Sequence, residues 1–248
     1  MENKNIPAPY AHQQTTTDFI INTEACIITS DPGTGKTRAV LDALKTIKGK
    51  TLVLAPLSIL EAAWVEDILK FTPDLTYGVA YAKNREKVFK QDNLDIVITN
   101  FEAVNFLCKN LQLLNSFDTL VIDEFTAFKN RTSKRSKACK RISSCFKRRV
   151  IMSGTPNSNT ILDIWHPVNI VDDGKRLGAR FYSFRHQVCT PKFNGFANEW
   201  IDKPGAEDAV ADILKDISIR YDLKDCIDLP DNIKRTVVTK LTPQVQKM

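Results

Sequence analysis

The sequence predicts an α/β fold built on a mostly parallel sheet with helices on both faces, and three observations carry that expectation. Short apolar stretches alternate with helix-forming ones along most of the 248 residues, the pattern of a sheet buried on both sides. One such stretch, CIIT at 26–29, runs straight into a glycine-bearing turn, DPGTGKT at 31–37. Two more, TLVI at 119–122 and RVIM at 149–152, deliver Asp123-Glu124 and Ser153-Gly154-Thr155-Pro156 at their carboxyl ends. Parallel sheets carry their functional loops there.

Taken in order, residues 1–9 are polar with two prolines and are expected to form a loose arm. Tyr10 to Ile21 is expected to be helical. After the glycine turn, RAVLDALKTI at 38–47 places apolar residues at 40, 41, 44 and 47, the spacing of an amphipathic helix. Gly49 stops it. TLVLA at 51–55 reads as a buried strand ended by Pro56. Ser58 is expected to cap the next helix, with Glu61 completing a capping box, and that helix to run to about Phe71. A weaker strand at 77–81, a charged helix near 83–91, a strand at 95–99 and a helix from about 101 follow. Beyond Pro156 the expectation is a helix at 161–170, an aromatic-rich stretch at 181–189, an extended loop at 191–205, a helix at 208–217 and a strand at 235–241.

At 43% hydrophobic and 26% charged, the chain has ample material for a core. No apolar run approaches the ~20 residues of a membrane span, so no membrane partner is expected. The N-terminus lacks an apolar signal core. Six cysteines, at 26, 108, 139, 145, 189 and 226, include no CxxC pair, and histidines 12, 166 and 186 share no metal-ligand spacing. That scatter disfavours a disulfide framework and a zinc knuckle, and a reducing, cytoplasmic location is expected. The net charge of +6 is local: ten Lys or Arg and no acid lie between 129 and 149. Such a block is either a phosphate-contacting surface or a solvated helix face.

The glycine turn carries the chemistry. Gly33 and Gly35 let the backbone turn tightly and aim successive N–H groups at an anion. Lys36 and Thr37 open a helix whose N-terminal dipole favours the same anion. This suggests a nucleoside triphosphate held by its β- and γ-phosphates, with the Thr37 hydroxyl on Mg²⁺. Ser30 stands where the strict pattern has glycine, a position that helicase-type loops commonly relax. Asp123 at a strand end suits the Mg²⁺ shell, and the adjacent Glu124 suits polarising the attacking water.

Several stretches together resemble one family, the Swi/Snf-like branch of the superfamily 2 helicases. DEFTAFKN at 123–130 resembles its DEAH-x-x-KN signature, and SGTPNSN at 153–159 with the following DIWHPVNIV its TGTP-x-x-N element. DPGTGKT resembles its phosphate loop, and Tyr10 and His12-Gln13 its upstream glutamine motif. LAPLSILEAAW at 54–64 and VITNFEAV at 97–104 are similar to its two backbone-contacting segments, and IRYDLKDCIDLP at 219–230 to a late RR-x-K-x-D element. The resemblance implies a RecA-like P-loop lobe spanning residues 10–241, with a family-type extension from about 160, that uses ATP and Mg²⁺ to work on double-stranded DNA. It implies that Gln13 reads adenine and that Gly33, Thr34, Gly35, Lys36 and Thr37 hold the phosphates. Thr37 and Asp123 would serve the metal, and Lys36, Asp123 and Glu124 the catalysis. Ser153, Gly154 and Thr155 would couple the γ-phosphate state to the track, while Pro56, Thr99, Asn100 and Lys129 would lie along the nucleic-acid backbone.

Three departures stand out. Thr126 replaces the motif histidine, Tyr221 stands where a second Arg is usual, and Phe125 is bulkier than the family's Ala. No late Q-x-x-G-R-x-x-R-like segment is present. The expectation is therefore a first lobe, with 242–248 starting a linker to a second lobe that is truncated or on another chain. Two alternatives remain open: a strand-separating helicase lobe, and a nucleotide-dependent nucleic-acid-binding or regulatory module that does not hydrolyse.

Overall fold

The computed structural model describes residues 6–154, 160–193, 195–196 and 198–226. The first half runs α1 (Ala11–Asn22), β1 (Ala25–Ile28), α2 (Lys36–Thr46), β2 (Lys50–Ala55), α3 (Glu66–Phe71), β3 (Tyr77–Ala80), α4 (Arg85–Phe89), β4 (Ile96–Asn100) and α5 (Ala103–Lys109). There follow β5 (Phe117–Asp123), α6 (Lys134–Ser143), β6 (Arg148–Met152), α7 (Trp165–Asp172) and α8 (Phe181–Val188). The described chain closes with β7 (Cys189–Phe193), β8 (Asn198–Asp202), α9 (Ala206–Leu214), β9 (Ser218–Ile219) and α10 (Leu223–Cys226).

Seven strands pair in the order β3-β4-β2-β5-β6-β1-β9, every pairing parallel. Side chains alternate across the sheet with period two. Leu52, Leu54, Val97, Leu120, Ile122 and Ile151 face one core, with apolar residues of α5 to α9. Val53, Ile96, Ile98, Val121, Val150 and Met152 face the other, with residues of α1 and α2 and with Trp64 and Ile68. Both faces are thus covered, which is why the strands read as continuous apolar runs.

Polar α1 accommodates three consecutive threonines, whose hydroxyls donate back to the carbonyls of Ala11, His12 and Gln13 and so do not compete for the helix's own N–H groups. Thr17 also donates to the Ala39 carbonyl of α2 at 3.1 Å, docking the two helices. At the far end of α1 the Arg148 guanidinium binds the carbonyls of Ile20, Ile21 and Thr23. It satisfies acceptors that a helix terminus leaves open.

The structure revises several local expectations. Ser58 does not cap a helix. It lies inside a 3₁₀ turn (Leu57–Ile59) that leads into a π-helical turn (Leu60–Val65) before α3. Residues 191–205 are not an extended loop: β7 and β8 form an antiparallel hairpin, Lys192 opposite Glu199. Its base is fixed by Asp202, which accepts from Thr160 Oγ1 and the Ile161 N–H. The two-residue β9 has no counterpart among the expected strands, because Ser-Ile alone carries no strand signal. The expected strand at 235–241 lies outside the described residues.

Candidate functional site

In the sheet order β5, β6 and β1 are neighbours, so the loops leaving their carboxyl ends meet. Gly33 and Gly35 both adopt positive φ, 85° and 79°. A Cβ on Gly35 would also stand 2.1 Å from the Gln13 Nε2, so a side chain there would displace the Gln13 amide; the positive φ is what calls for glycine. Lys36 begins α2 and its ammonium donates to the carbonyls of Ser30 (2.8 Å) and Asp31 (3.0 Å). Burial lowers its pKa, against the opposing charges of Asp123, Glu124 and Asp31 nearby. The cation is therefore held among carboxylates and carbonyls.

From β5, Asp123 is largely buried, and that burial raises its carboxyl pKa against a hydrogen bond from the Trp64 indole (3.0 Å). Glu124 sits in the left-handed region at φ 58°, a sparsely populated conformation for a side-chain-bearing residue. One of its oxygens, Oε1, accepts from both Thr126 Oγ1 (2.5 Å) and Ser153 Oγ (2.7 Å). Thr126 thus hydrogen-bonds Glu124 directly. Phe125 is buried in the larger core beside Phe128, which accounts for its bulk.

From β6, the Ser153 N–H donates to the Ile28 carbonyl at 3.0 Å, tying this loop to β1. A Cβ on Gly154 would come 2.8 Å from Pro32, so glycine is required for the loop to lie against the phosphate loop. Thr155 lies outside the described residues. Thr37 stands half-buried in the first turn of α2.

Two outlying segments clamp the phosphate loop. His12 Nε2 and Gln13 Nε2 donate to the Thr34 carbonyl at 2.8 and 3.2 Å, and Gln13 Oε1 accepts from the Tyr10 N–H. Both ends of the Gln13 amide are therefore engaged within the protein. On the other side the Tyr221 N–H donates to Ser30 Oγ at 3.0 Å, and the Leu223 N–H to Asp31 Oδ2. The Tyr221 ring lies 5.7 Å from that of His12. Of the four arginines after Pro156 in the described residues, Arg220 alone pairs with the phosphate loop, to Asp31 at 3.5 Å. Arg176 is paired with Asp216 and Asp172, and Arg185 lies 3.8 Å over Trp200.

The expected track residues divide. Pro56 is partly exposed at the end of β2. Thr99 is fully buried and donates to the Ala80 carbonyl, while Asn100 bonds Glu102 and accepts from Arg85. Lys129 pairs with Asp163 at 3.1 Å. The basic block divides too. Arg135, Lys140, Arg148 and Arg149 bind backbone carbonyls, Arg131 stacks on Phe181, and Lys147 pairs with Glu24. Lys134, Lys137 and Arg141 are exposed along one side of α6 and make no ion pair among the described residues. A cavity of about 480 Å³ lies at the opposite edge of the sheet, where Arg149–Asp173 and Arg176–Asp216 neutralise one another.

The sequence marks Ser30 in this loop only as a departure, and it marks neither Trp64 nor Tyr221 as part of this site. Trp64 carried one usable signal, an indole N–H in an apolar segment that must find a buried acceptor.

Comparison with known proteins places this geometry. The SNF2-related domain family matches residues 12–248. Protein p41 of Acyrthosiphon pisum secondary endosymbiont phage 1 is 25% identical over 95% of this chain and 54% of its own length. The transcription regulatory protein SNF2 of Saccharomyces cerevisiae is 27% identical over 90% of this chain, which spans 14% of that protein. The Sulfolobus solfataricus SWI2/SNF2 ATPase core in complex with dsDNA superposes with a TM-score of 0.73 at 26% identity, over 96% of this chain and 50% of the other.

Proposed function

The chain belongs to the SNF2-related domain family, and from that premise we propose that it is the ATP-binding lobe of a DNA-dependent ATPase that translocates on duplex DNA. The observation that carries this reading is the meeting of Lys36, Asp123, Glu124 and Ser153 at the carboxyl edge of β1, β5 and β6.

The residues fit Mg-ATP. An 11-residue helix begins directly behind two left-handed glycines and offers N–H groups to phosphate. Lys36 supplies charge, and Thr37 and the partly buried Asp123 supply hard oxygen ligands for Mg²⁺. A buried carboxylate with raised proton affinity gains from a cation placed beside it. Bound there, Mg²⁺ would neutralise charge on the β- and γ-phosphate oxygens. Glu124, held through Oε1 by Thr126 and Ser153, is oriented to polarise water. Ser153 in turn bonds both β1 and Glu124, a route from the nucleotide to the next loop. Gln13 would reach adenine by exchanging its present partners, Tyr10 and Thr34.

Lys134, Lys137 and Arg141, together with the exposed end of β2 at Pro56, are the proposed duplex-contacting surface. The relative solved with dsDNA supports a duplex over a single strand. Arg220 is paired with Asp31, Arg176 with Asp216 and Asp172, and Arg185 stacks on Trp200, and we assign the charge needed on the transferring phosphoryl group to a second lobe, in the same polypeptide or in trans. Arginine fingers typically contribute ~10³–10⁵-fold in such sites. No helix among the described residues is long and apolar enough to cross a membrane. The unpaired cysteines, with Cys26 and Cys139 raised in pKa by burial, support a reducing, cytoplasmic setting.

The experiment is ATP turnover with and without duplex DNA, on this chain alone and with a second lobe supplied. Slow turnover alone, restored and made DNA-dependent by the second lobe and abolished by Glu124→Gln, is the expected result. Vigorous DNA-stimulated hydrolysis by the 248 residues alone would overturn the division of labour and make Arg220 the first suspect.

A further inference from the structure

Trp64 is fully buried, and its indole N–H has one partner among the described residues, Asp123 Oδ2 at 3.0 Å. The indole nitrogen is a donor only, so this bond fixes which way both groups point. Asp123 is the last residue of β5, and Trp64 lies fifth in the π-helical turn that follows β2, the strand hydrogen-bonded beside β5. A π turn is rare and inserts one residue into helical register. Here it swings a large side chain under the neighbouring strand's carboxyl end. Packing alone would not require an indole, because a phenyl ring fills most of the same apolar space against Leu60 and Ile68. What a phenyl ring lacks is the donor.

We propose that Trp64 is a positioning residue for the metal site: its N–H orients the Asp123 carboxylate toward the Mg²⁺ of bound Mg-ATP. This rests on the ATP-binding reading given above. Partners of metal-ligating carboxylates typically contribute 10–100-fold to metal affinity. Trp64 therefore acts on the metal through Asp123, outside the nucleotide contacts themselves, although it lies in a segment otherwise assigned to the nucleic-acid track.

The test is the Mg²⁺ dependence of ATP binding by calorimetry, on the unaltered chain and on Trp64→Phe. The variant should bind ATP in EDTA as the unaltered chain does, which also reports that it is folded, while the Mg²⁺ needed for half-maximal tightening rises about tenfold. A second measurement needs no variant at position 64. In the chain labelled with ¹⁵N at its indoles, Mg²⁺ added to the ATP complex should move the Trp64 resonance and leave Trp165 and Trp200 in place, each assigned by its own Phe replacement. An unchanged Mg²⁺ requirement in Trp64→Phe, or a Trp64 resonance indifferent to Mg²⁺, would overturn the proposal. Absence of any ATP binding by the unaltered chain is a different result, and it would overturn the functional reading together with this one.

Discussion

Ser30 shows how a departure from a motif is accommodated by one atom. Its hydroxyl accepts the Tyr221 N–H, a bond that glycine at this position could not make, and Tyr221 in turn packs against His12. The Ser30 bond uses the backbone N–H of Tyr221, so it does not depend on the Tyr-for-Arg departure, whose ring instead meets that of His12. A second residue-scale case is Asp173, where burial pushes the carboxyl pKa up but hydrogen bonds and charge from Lys140 and Arg149 outweigh it and hold it below the usual range. A depressed carboxylate contributes stability above its unfolded pKa of about 3.9 and loses it as pH falls through the lower folded value. Asp173→Asn, which keeps a residue tolerant of the left-handed φ of 60°, should be less stable than the parent at pH 7. The difference should shrink below about pH 4. Urea unfolding from pH 7 to 2 checks this, and a gap that stays constant with pH would assign the loss to packing instead.

Among the elements, α6 separates what charge counting merges. Its sequence reads as one basic block, yet only the side that carries Lys134, Lys137 and Arg141 is exposed. Reversing those three to Glu should weaken duplex binding and reduce the salt slope by about 0.9 for each phosphate no longer neutralised, with little effect on stability. Filter binding across a salt series measures both, and an unmoved slope would leave the stripe a solvated face. Arg148 makes the opposite case. Arg148→Met strips three carbonyls at the end of α1 of their donor, and a charged hydrogen-bond partner is worth about 1.5–3 kcal/mol. Denaturant unfolding should find a destabilisation of that order, without any change in the salt slope of DNA binding.

For the whole molecule, the fold class and the phosphate loop were legible because each rests on local signals. Short apolar runs mark β2, β4, β5 and β6, and glycine spacing before Lys36-Thr37 marks the loop. What was not legible depends on partners distant in sequence. Nothing near Thr99 announces that its hydroxyl turns back to Ala80, and nothing in residues 191–205 announces a hairpin anchored through Asp202 to Thr160. The strap at 218–223 and the Trp64–Asp123 bond join residues 191 and 59 positions apart. Sequence patterns report which face a residue occupies, while these bonds are set by which loops the sheet order brings together.

In the proposed function, this meeting of loops binds Mg-ATP through Lys36. Calorimetric titration of Mg-ATP tests it most directly, on the unaltered chain, Lys36→Ala and Glu124→Gln. Removing a charge-assisted hydrogen bond to phosphate costs about 1.5–3 kcal/mol, so the expected result is saturable binding of one nucleotide per chain, weakened about tenfold or more by Lys36→Ala and preserved in Glu124→Gln. Equal affinity in the unaltered chain and Lys36→Ala would contradict it.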